Sequence, residues 1–283
     1  MSLRKPPQAK APARPKGFQW DPPSDALSKW AERPVAVAGD DDTVINILEL
    51  IGEDWWTGGG FTAQDMAAAL KRANGRAVTV NINSPGGDMF EGIAIYNQLA
   101  QYSGEVTVNV LALAASAASF IAMAGDTVRM ALGSFLMIHN CWGLVIGNQK
   151  DLRDAAELFA TFDGALAEIY EGRAKIDIAA IAAMMDAETF LSPTKAIEAG
   201  FADETMADEP KTQARADAKP DSALIARRQI EAALAKNGIS RSDRRHLVEA
   251  LGTPRDASPR TGALRDASVS DGLKSLISTM SGK

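Results

Sequence analysis

Apolar and polar residues trade places along this chain in two rhythms, and the rhythms mark out its elements. From Thr43 to Ile51 they alternate with a period of two, as in a half-buried strand. From Thr62 to Ala73 the apolar positions Met66 and Leu70 and the alanines recur at helical spacing, and Thr62 stands where a capping hydroxyl belongs. A β-branched run, Ala77–Ile82, predicts a strand; Phe90–Gln101 predicts a helix; Val106–Val110 predicts another strand. Such a β-α-β-α-β order, with connections long enough for right-handed crossovers, predicts a parallel sheet covered by helices. Ser116–Ala124 reads as the next helix, Thr127–Met130 and Phe135–Ile138 as short strands. Asn148–Arg173 reads as one long helix with Leu152, Ala156, Phe159 and Leu166 on its apolar side.

Residues 106–125 carry no charge and are numerous enough to span a bilayer. The stretch also holds Thr107, Asn109, Ser116 and Ser119, and its pattern changes from strand to small-residue helix midway, so a buried strand and helix is the reading and no membrane is expected. The chain ends differ in character. Residues 1–40, with six prolines between Pro6 and Pro23, predict a flexible basic arm. Residues 41–204 form the expected folded domain. Residues 205–283 read as a polar linker to about residue 220 and a basic, partly helical tail, with helices expected over Ser222–Lys236 and Ser240–Leu251.

Charge sharpens that division. The net charge is −6, but from Lys211 onward fourteen Lys and Arg face eight Asp and Glu, which leaves the body acidic and the tail basic. The tail then has an acidic surface to meet, on its own body or on a partner. The single cysteine, Cys141, excludes an intrachain disulfide and any zinc site built on several cysteines. With no apolar leader at the N-terminus, a cytoplasmic protein is the expectation.

Three segments carry chemistry. Asn83-Ser84-Pro85-Gly86-Gly87-Asp88 joins a strand to a helix, and its paired glycines let the backbone approach a ligand and turn an N–H outward. Ala114-Ala115-Ser116-Ala117-Ala118-Ser119 places a serine where a helix begins and backbone N–H groups favour developing negative charge. Met137-Ile138-His139-Asn140 ends a strand with the one histidine of the folded body, since His246 lies in the tail beside Arg244 and Arg245. Each has a plain structural reading by itself: a turn, a helix cap, a packed imidazole. Together they supply oxyanion donor, nucleophile and general base. Cys141, two residues beyond His139, would share its face on a strand; a small buried residue is the plainer reading.

These segments resemble the ClpP family of serine peptidases. The family pattern has a Ser-Pro-Gly-Gly turn, an Ala-Ala-Ser segment, a Met-Ile-His segment and a later Phe-Leu-Ser with downstream Ala, Gly and Asp. Here they are Ser84–Gly87, Ala114–Ser116, Met137–His139, Phe190–Ser192, and Ala196, Gly200 and Asp203. The resemblance implies an α/β fold with a ClpP/crotonase-like core of repeated ββα units and a long helix used for oligomerisation in a ring. It implies Ser116 as nucleophile, His139 as base and the N–H groups of Gly87 and Ala117 as oxyanion hole, with neither metal nor organic cofactor. The family's acid falls at Met184 in this chain, so Asp186 is taken as the third member on the assumption of a two-residue contraction; a surface carboxylate is the alternative.

The arm, Trp55-Trp56, the Asp88-Met89-Phe90-Glu91-Gly92 segment and the basic tail are similar to the phage branch, the head maturation or prohead proteases. That implies a polypeptide substrate, a capsid or scaffold protein, cleaved in the phage prohead within the host cytoplasm, and no nucleic-acid ligand. Other readings stay open: a capsid scaffolding or assembly protein with little or no activity, a Ser-Lys peptidase of the signal-peptide-peptidase type using Lys150, Lys175 or Lys195, and an acyl-CoA enzyme of the crotonase group.

Overall fold

The computed structural model describes residues 41–54, 59–174 and 176–206, with isolated positions before them (19–20, 26–27, 30) and after them (230, 233–234, 239, 244). All lie in the first of the chain's two units, Met1–Arg245. The tail helices expected over Ser222–Lys236 and Ser240–Leu251 fall almost wholly outside the described residues, as do Trp55, Trp56 and His246.

The strands are β1 (Gln19–Trp20), β2 (Val44–Ile47), β3 (Gly52–Asp54), β4 (Gly59–Phe61), β5 (Val78–Ser84), β6 (Val106–Ala115), β7 (Thr127–Met130), β8 (Phe135–Ile138), β9 (Gly143–Leu144), β10 (Thr189–Leu191) and β11 (Glu204–Thr205). The helices labelled here are α1 (Ala63–Ala73), α2 (Met89–Ala100), α3 (Ala117–Ala122), α4 (Gln149–Glu171), α5 (Ile178–Asp186) and α6 (Pro193–Ala199). The main sheet runs β10-β8-β6-β5-β2, with β7 beside β6 and β11 beside β7. Its pairs are parallel except β10 with β8. A mixed α/β fold around a parallel sheet is what the periodicity predicted.

Strand β6 organises the sheet. Thr107–Val110 pairs with β7, and Leu113–Ala115 pairs with β8. One strand therefore supports two neighbours in succession and delivers its C-terminal end next to that of β8. Register is keyed by an asparagine row. Asn46, Asn81 and Asn109 lie opposite one another on β2, β5 and β6, and each amide of the outer pair bonds the middle one at 2.9 and 3.1 Å. A one-residue slip would turn these amides to the other face and leave them without partners, which fixes the pairing.

Local rules account for the helices. Thr62 caps α1 in a reciprocal box with Asp65, and Asn148 caps α4 in the same way with Asp151. The sequence placed both helices to within one or two residues. It did not show the β3–β4 hairpin, α5, β10 or α6, whose segments are short. No helix among the described residues is long and apolar enough to cross a membrane, and residues 106–125 are a buried strand and helix.

Most of residues 1–40, read as a flexible arm, lies outside the described residues; of those described, Ala26, Leu27 and Trp30 are 0, 1 and 2 % exposed. They form a second apolar cluster with Leu50, Leu113, Ala115 and Met137. Trp30 Nε1 also donates to the carbonyl of Asn83 at 2.8 Å. Proline density around them hid these three buried positions from the sequence reading.

Candidate active site

Parallel strands deliver their C-terminal ends to one edge of a sheet, and loops leaving that edge meet there. Here β5 delivers the Ser84–Gly87 turn, β6 delivers Ser116 and β8 delivers His139. The sequence-predicted trio meets for this reason.

Ser116 sits at the corner between β6 and α3 with φ 53° and ψ −124°, a left-handed value rare for a residue with a side chain. Its N–H donates to the Met137 carbonyl at 3.0 Å, which fixes the corner to β8. A sharp, strained corner of this kind lifts the hydroxyl clear of both elements. His139 Nε2 lies 2.7 Å from Ser116 Oγ.

The two glycines have separate reasons. A Cβ on Gly86 would stand 2.5 Å from the Ser116 Cβ and 2.8 Å from the Ala117 nitrogen, so the turn and the serine corner touch along bare backbone. A Cβ on Gly87, with φ +150°, would stand 2.2 Å from the Ile51 carbonyl oxygen. Ile51 grips this turn on both sides: its N–H donates to Gly86 O and its carbonyl accepts from Asp88 N–H, each at 2.9 Å. In such a parallel bridge the bonds come from the flanking residues, so the N–H of Gly87 itself points away from Ile51. Ala117 is the first residue of α3, and its N–H has no acceptor within the helix.

His139 is 7 % exposed, and burial pushes its pKa down to about 4; a hydrogen bond with the Asn140 backbone works the other way. With its proton on Nδ1 the ring leaves Nε2 as the acceptor facing Ser116 Oγ, the tautomer a general base needs.

Asp186 does not bond the imidazole. Its Oδ1 accepts from the side-chain amide of Asn140 at 2.6 Å. A second carboxylate, Asp163 on α4, accepts the backbone N–H of Cys141 at 2.6 Å, and burial holds the Asp163 pKa above the ordinary carboxylate range. Burial and Asp163 together push the Cys141 thiol far up, which keeps it protonated, and its Sγ lies 3.3 Å from the Met89 sulfur. Cys141 is thus a packed thiol, the plainer of its two readings. Lys150 is exposed and pairs with Asp154, while Lys175 lies outside the described residues.

The corner is braced from behind. Ser119 Oγ donates to the Ser116 carbonyl at 2.6 Å, so its one proton is used, and Tyr170 must donate to Ser119 across their 2.6 Å contact. Tyr170 is fully buried with its pKa raised, hence a neutral donor. Before the serine and histidine lies a pocket walled by Met89, Phe120, Trp142 and Leu166.

Sequence reasoning missed Trp30, Ile51, Asp163 and Tyr170. Asp163 left one signal: it stands within the apolar stripe of α4, between Phe162 and Leu166, where an acid needs a specific partner.

The Clp protease family matches residues 61–209, more than half of the chain and all three chemical segments. The chain belongs to the Clp protease family. Members of the Clp protease family are serine-type peptidases. The chain is 32% identical over 135 residues to the ATP-dependent Clp protease proteolytic subunit of Chlorella vulgaris, covering 47% of this chain and 67% of that one. It is 30% identical over 131 residues to the subunit of the same name from Deinococcus radiodurans, covering 46% and 64%. It is 33% identical over 137 residues to ATP-dependent Clp protease proteolytic subunit 1 of Protochlamydia amoebophila, covering 47% and 66%. The chain thus spans about two thirds of the length of these Clp relatives, and just over half of it lies outside each of these matches.

Proposed function

We propose that this protein is a serine endopeptidase in which Ser116 is the nucleophile and His139 the general base. The observation that carries this reading is the 2.7 Å approach of His139 Nε2 to Ser116 Oγ at a strained strand-to-helix corner. Ser116 Oγ attacks the scissile carbonyl as Nε2 takes its proton. The tetrahedral oxyanion meets the N–H groups of Gly87 and Ala117, which cost no reorganisation because Ile51 and α3 already aim them. The imidazolium returns the proton to the leaving amine, and water repeats the sequence on the acyl-enzyme. The pocket walled by Met89, Phe120 and Leu166 suits an apolar side chain next to the scissile bond.

The substrate in this reading is a capsid or scaffold protein, cut during phage head maturation by a ring-like homo-oligomer. The Pro-rich arm and the basic tail, outside the Clp match, and the Asp88–Gly92 segment within it support the first part. Self-association is supported by the apolar surface at the entrance to α4, where Trp142, Ile146 and Leu152 are 50, 89 and 49 % exposed.

A fluorophosphonate probe tests the chemistry without knowledge of the substrate. Stoichiometric labelling of the wild type at Ser116, lost in Ser116→Ala and in His139→Ala, is the expected result; equal labelling of all three would end the reading. Co-expression with the neighbouring capsid protein tests the role. Cleavage by wild type alone, read by mass spectrometry, is expected, and an intact capsid protein with a labelled Ser116 would leave a peptidase with another substrate.

A further inference from the structure

Two donors from one residue converge on the carbonyl of Ser116: the backbone N–H of Ser119 at 2.9 Å and its Oγ at 2.6 Å. A serine hydroxyl that bonds its own helix three residues back is ordinary, and by itself does nothing for chemistry. Here a third group joins. Tyr170, on α4, brings its hydroxyl to 2.6 Å from Ser119 Oγ, and both side chains are buried. The Ser116 carbonyl only accepts, so the Ser119 proton lies in that bond and the Tyr170 proton in the next.

Direction decides what such a row does. In a trans peptide the carbonyl and the N–H point opposite ways across one rigid plane. The peptide that carries the Ser116 carbonyl ends in the N–H of Ala117, one of the two oxyanion donors in the peptidase reading. The Tyr170 O–H, the Ser119 O–H and the peptide dipole therefore run head to tail, with the positive end of the row at the Ala117 N–H.

We propose that Ser119 and Tyr170 are positioning residues for the oxyanion hole, which fix and polarise the peptide joining Ser116 to Ala117 and so strengthen the Ala117 N–H as a donor. The inference rests on the peptidase reading above and deepens it. Hydrogen bonds aligned in one direction polarise one another, and more so in a buried site. A donor strengthened in this way acts most when negative charge develops on the scissile oxygen. The Gly87 N–H is held by Ile51 and lies outside the row, so cutting the row weakens one donor and spares the other. The row also gives a reason for a tyrosine on the buried face of α4, beside Phe162, Leu166 and Ile169. A phenylalanine there would pack against Phe201 as Tyr170 does, and would bring no proton.

The test uses the full-length protein and a fluorophosphonate, which joins phosphorus to Ser116 Oγ with loss of fluoride. The adduct leaves a phosphoryl oxygen where the oxyanion would stand, so its phosphorus-31 resonance reports the bonds made to that oxygen. Ser119→Ala should react about tenfold more slowly per titratable site, and Tyr170→Phe, which keeps the ring, about threefold more slowly, the scale of a donor weakened rather than lost. The phosphorus resonance should move in the same direction in both, farther in Ser119→Ala. The acid limb of the rate should stay at its wild-type pH, because His139 is untouched. Wild-type rates with an unmoved resonance would overturn the proposal. So would a slower reaction with a shifted acid limb or an unmoved resonance, since the loss would then lie in the Ser116–His139 geometry. A slow Ser119→Ala beside a wild-type Tyr170→Phe would overturn the part given to Tyr170. If Ser119→Ala does not fold, Tyr170→Phe decides by the same readouts. A wild type that does not label, or a Ser116→Ala that does, would instead bring down the peptidase reading itself.

Discussion

The Gly86–Gly87 turn and the His139–Cys141 segment flank Ser116 from opposite sides of β6, and they are held in place by opposite means. The glycine turn is fixed chiefly by backbone and by its own residues: Ile51 bonds it twice, Ser84 Oγ accepts the Gly86 N–H at 3.2 Å, and bare glycine packs against the serine corner. The histidine segment is fixed by side chains that arrive from far along the chain, Asp163 from α4 and Asp186 from α5. Backbone placement demands particular residues within the turn itself. Side-chain placement leaves the segment nondescript and puts the demand some twenty to fifty positions away. Both halves deliver a polar group to within bonding distance of one serine, so the contrast concerns how each is specified, not what it achieves.

The sharpest way to break this contrast is Gly87→Ala. Its Cβ would collide with Ile51 O, and its φ of +150° is strained for any side chain. The N–H must move, and the rate of Ser116 phosphonylation should fall at least about a hundredfold, the scale of one lost oxyanion donor. A rate near wild type would show that the turn can place its N–H without the glycine.

Arg173→Met probes the other half at a distance. Arg173 follows α4 and is buried against the Gly125 carbonyl and the Asp203 carboxylate, which also accepts the Val128 N–H at 2.7 Å. Removing one member of a buried pair costs about 3 kcal/mol, measured by urea unfolding. Any loss of rate per folded molecule should appear in the histidine half, through α4 and Asp163. An unchanged midpoint would mean that α4 is held by its apolar face alone.

Acidity tests the same half more gently. The folded pKa of His139, about 4, lies below the ordinary 6.5, so the unfolded chain takes up the proton first as pH falls. This group's contribution to stability is then complete above about pH 6.5, declines between there and about pH 4, and is level below. The reaction needs the neutral ring, so the acid limb of phosphonylation should fall near pH 4. A limb at 6.5 or above would reveal a carboxylate facing the ring when Ser116 reacts, and Asp186 would be the first to examine.

The smallest of these effects belongs to Trp30→Phe, which keeps the ring and loses the bond to the Asn83 carbonyl at the base of the glycine turn. A loss of about 1 kcal/mol is expected for that buried hydrogen bond, by thermal or urea unfolding. No loss would mean that Trp30 holds its segment by packing only.

The contrast also explains what could be read from the sequence. The serine, the histidine and the two glycines announce themselves because each stands at a strand end within a short stretch of unusual residues. The sheet was legible for a similar reason: β5, β6, β7 and β8 are β-branched or apolar runs broken by turns. Counting back from Phe190 in the Clp pattern led to Met184, and an assumed two-residue contraction moved the choice to Asp186, which bonds the Asn140 side chain next to His139 and not the ring. Asp163 left only its place in the apolar stripe of α4 as a signal, because its partner is a backbone N–H, which every residue but proline possesses. Trp30 was masked by its proline-rich surroundings, since burial of an isolated aromatic depends on a partner surface formed by Leu50, Leu113 and Met137.

Ser116 itself sets activity against endurance. Its positive φ is a conformation that glycine takes at little cost and serine holds only under constraint, at about 1 kcal/mol or more. Ser116→Gly should therefore unfold at a higher temperature than the working protein while losing all reaction with the probe. The corner that raises the hydroxyl toward a peptide is a standing tax on the fold, levied at the one position where reactivity rather than packing decides the residue.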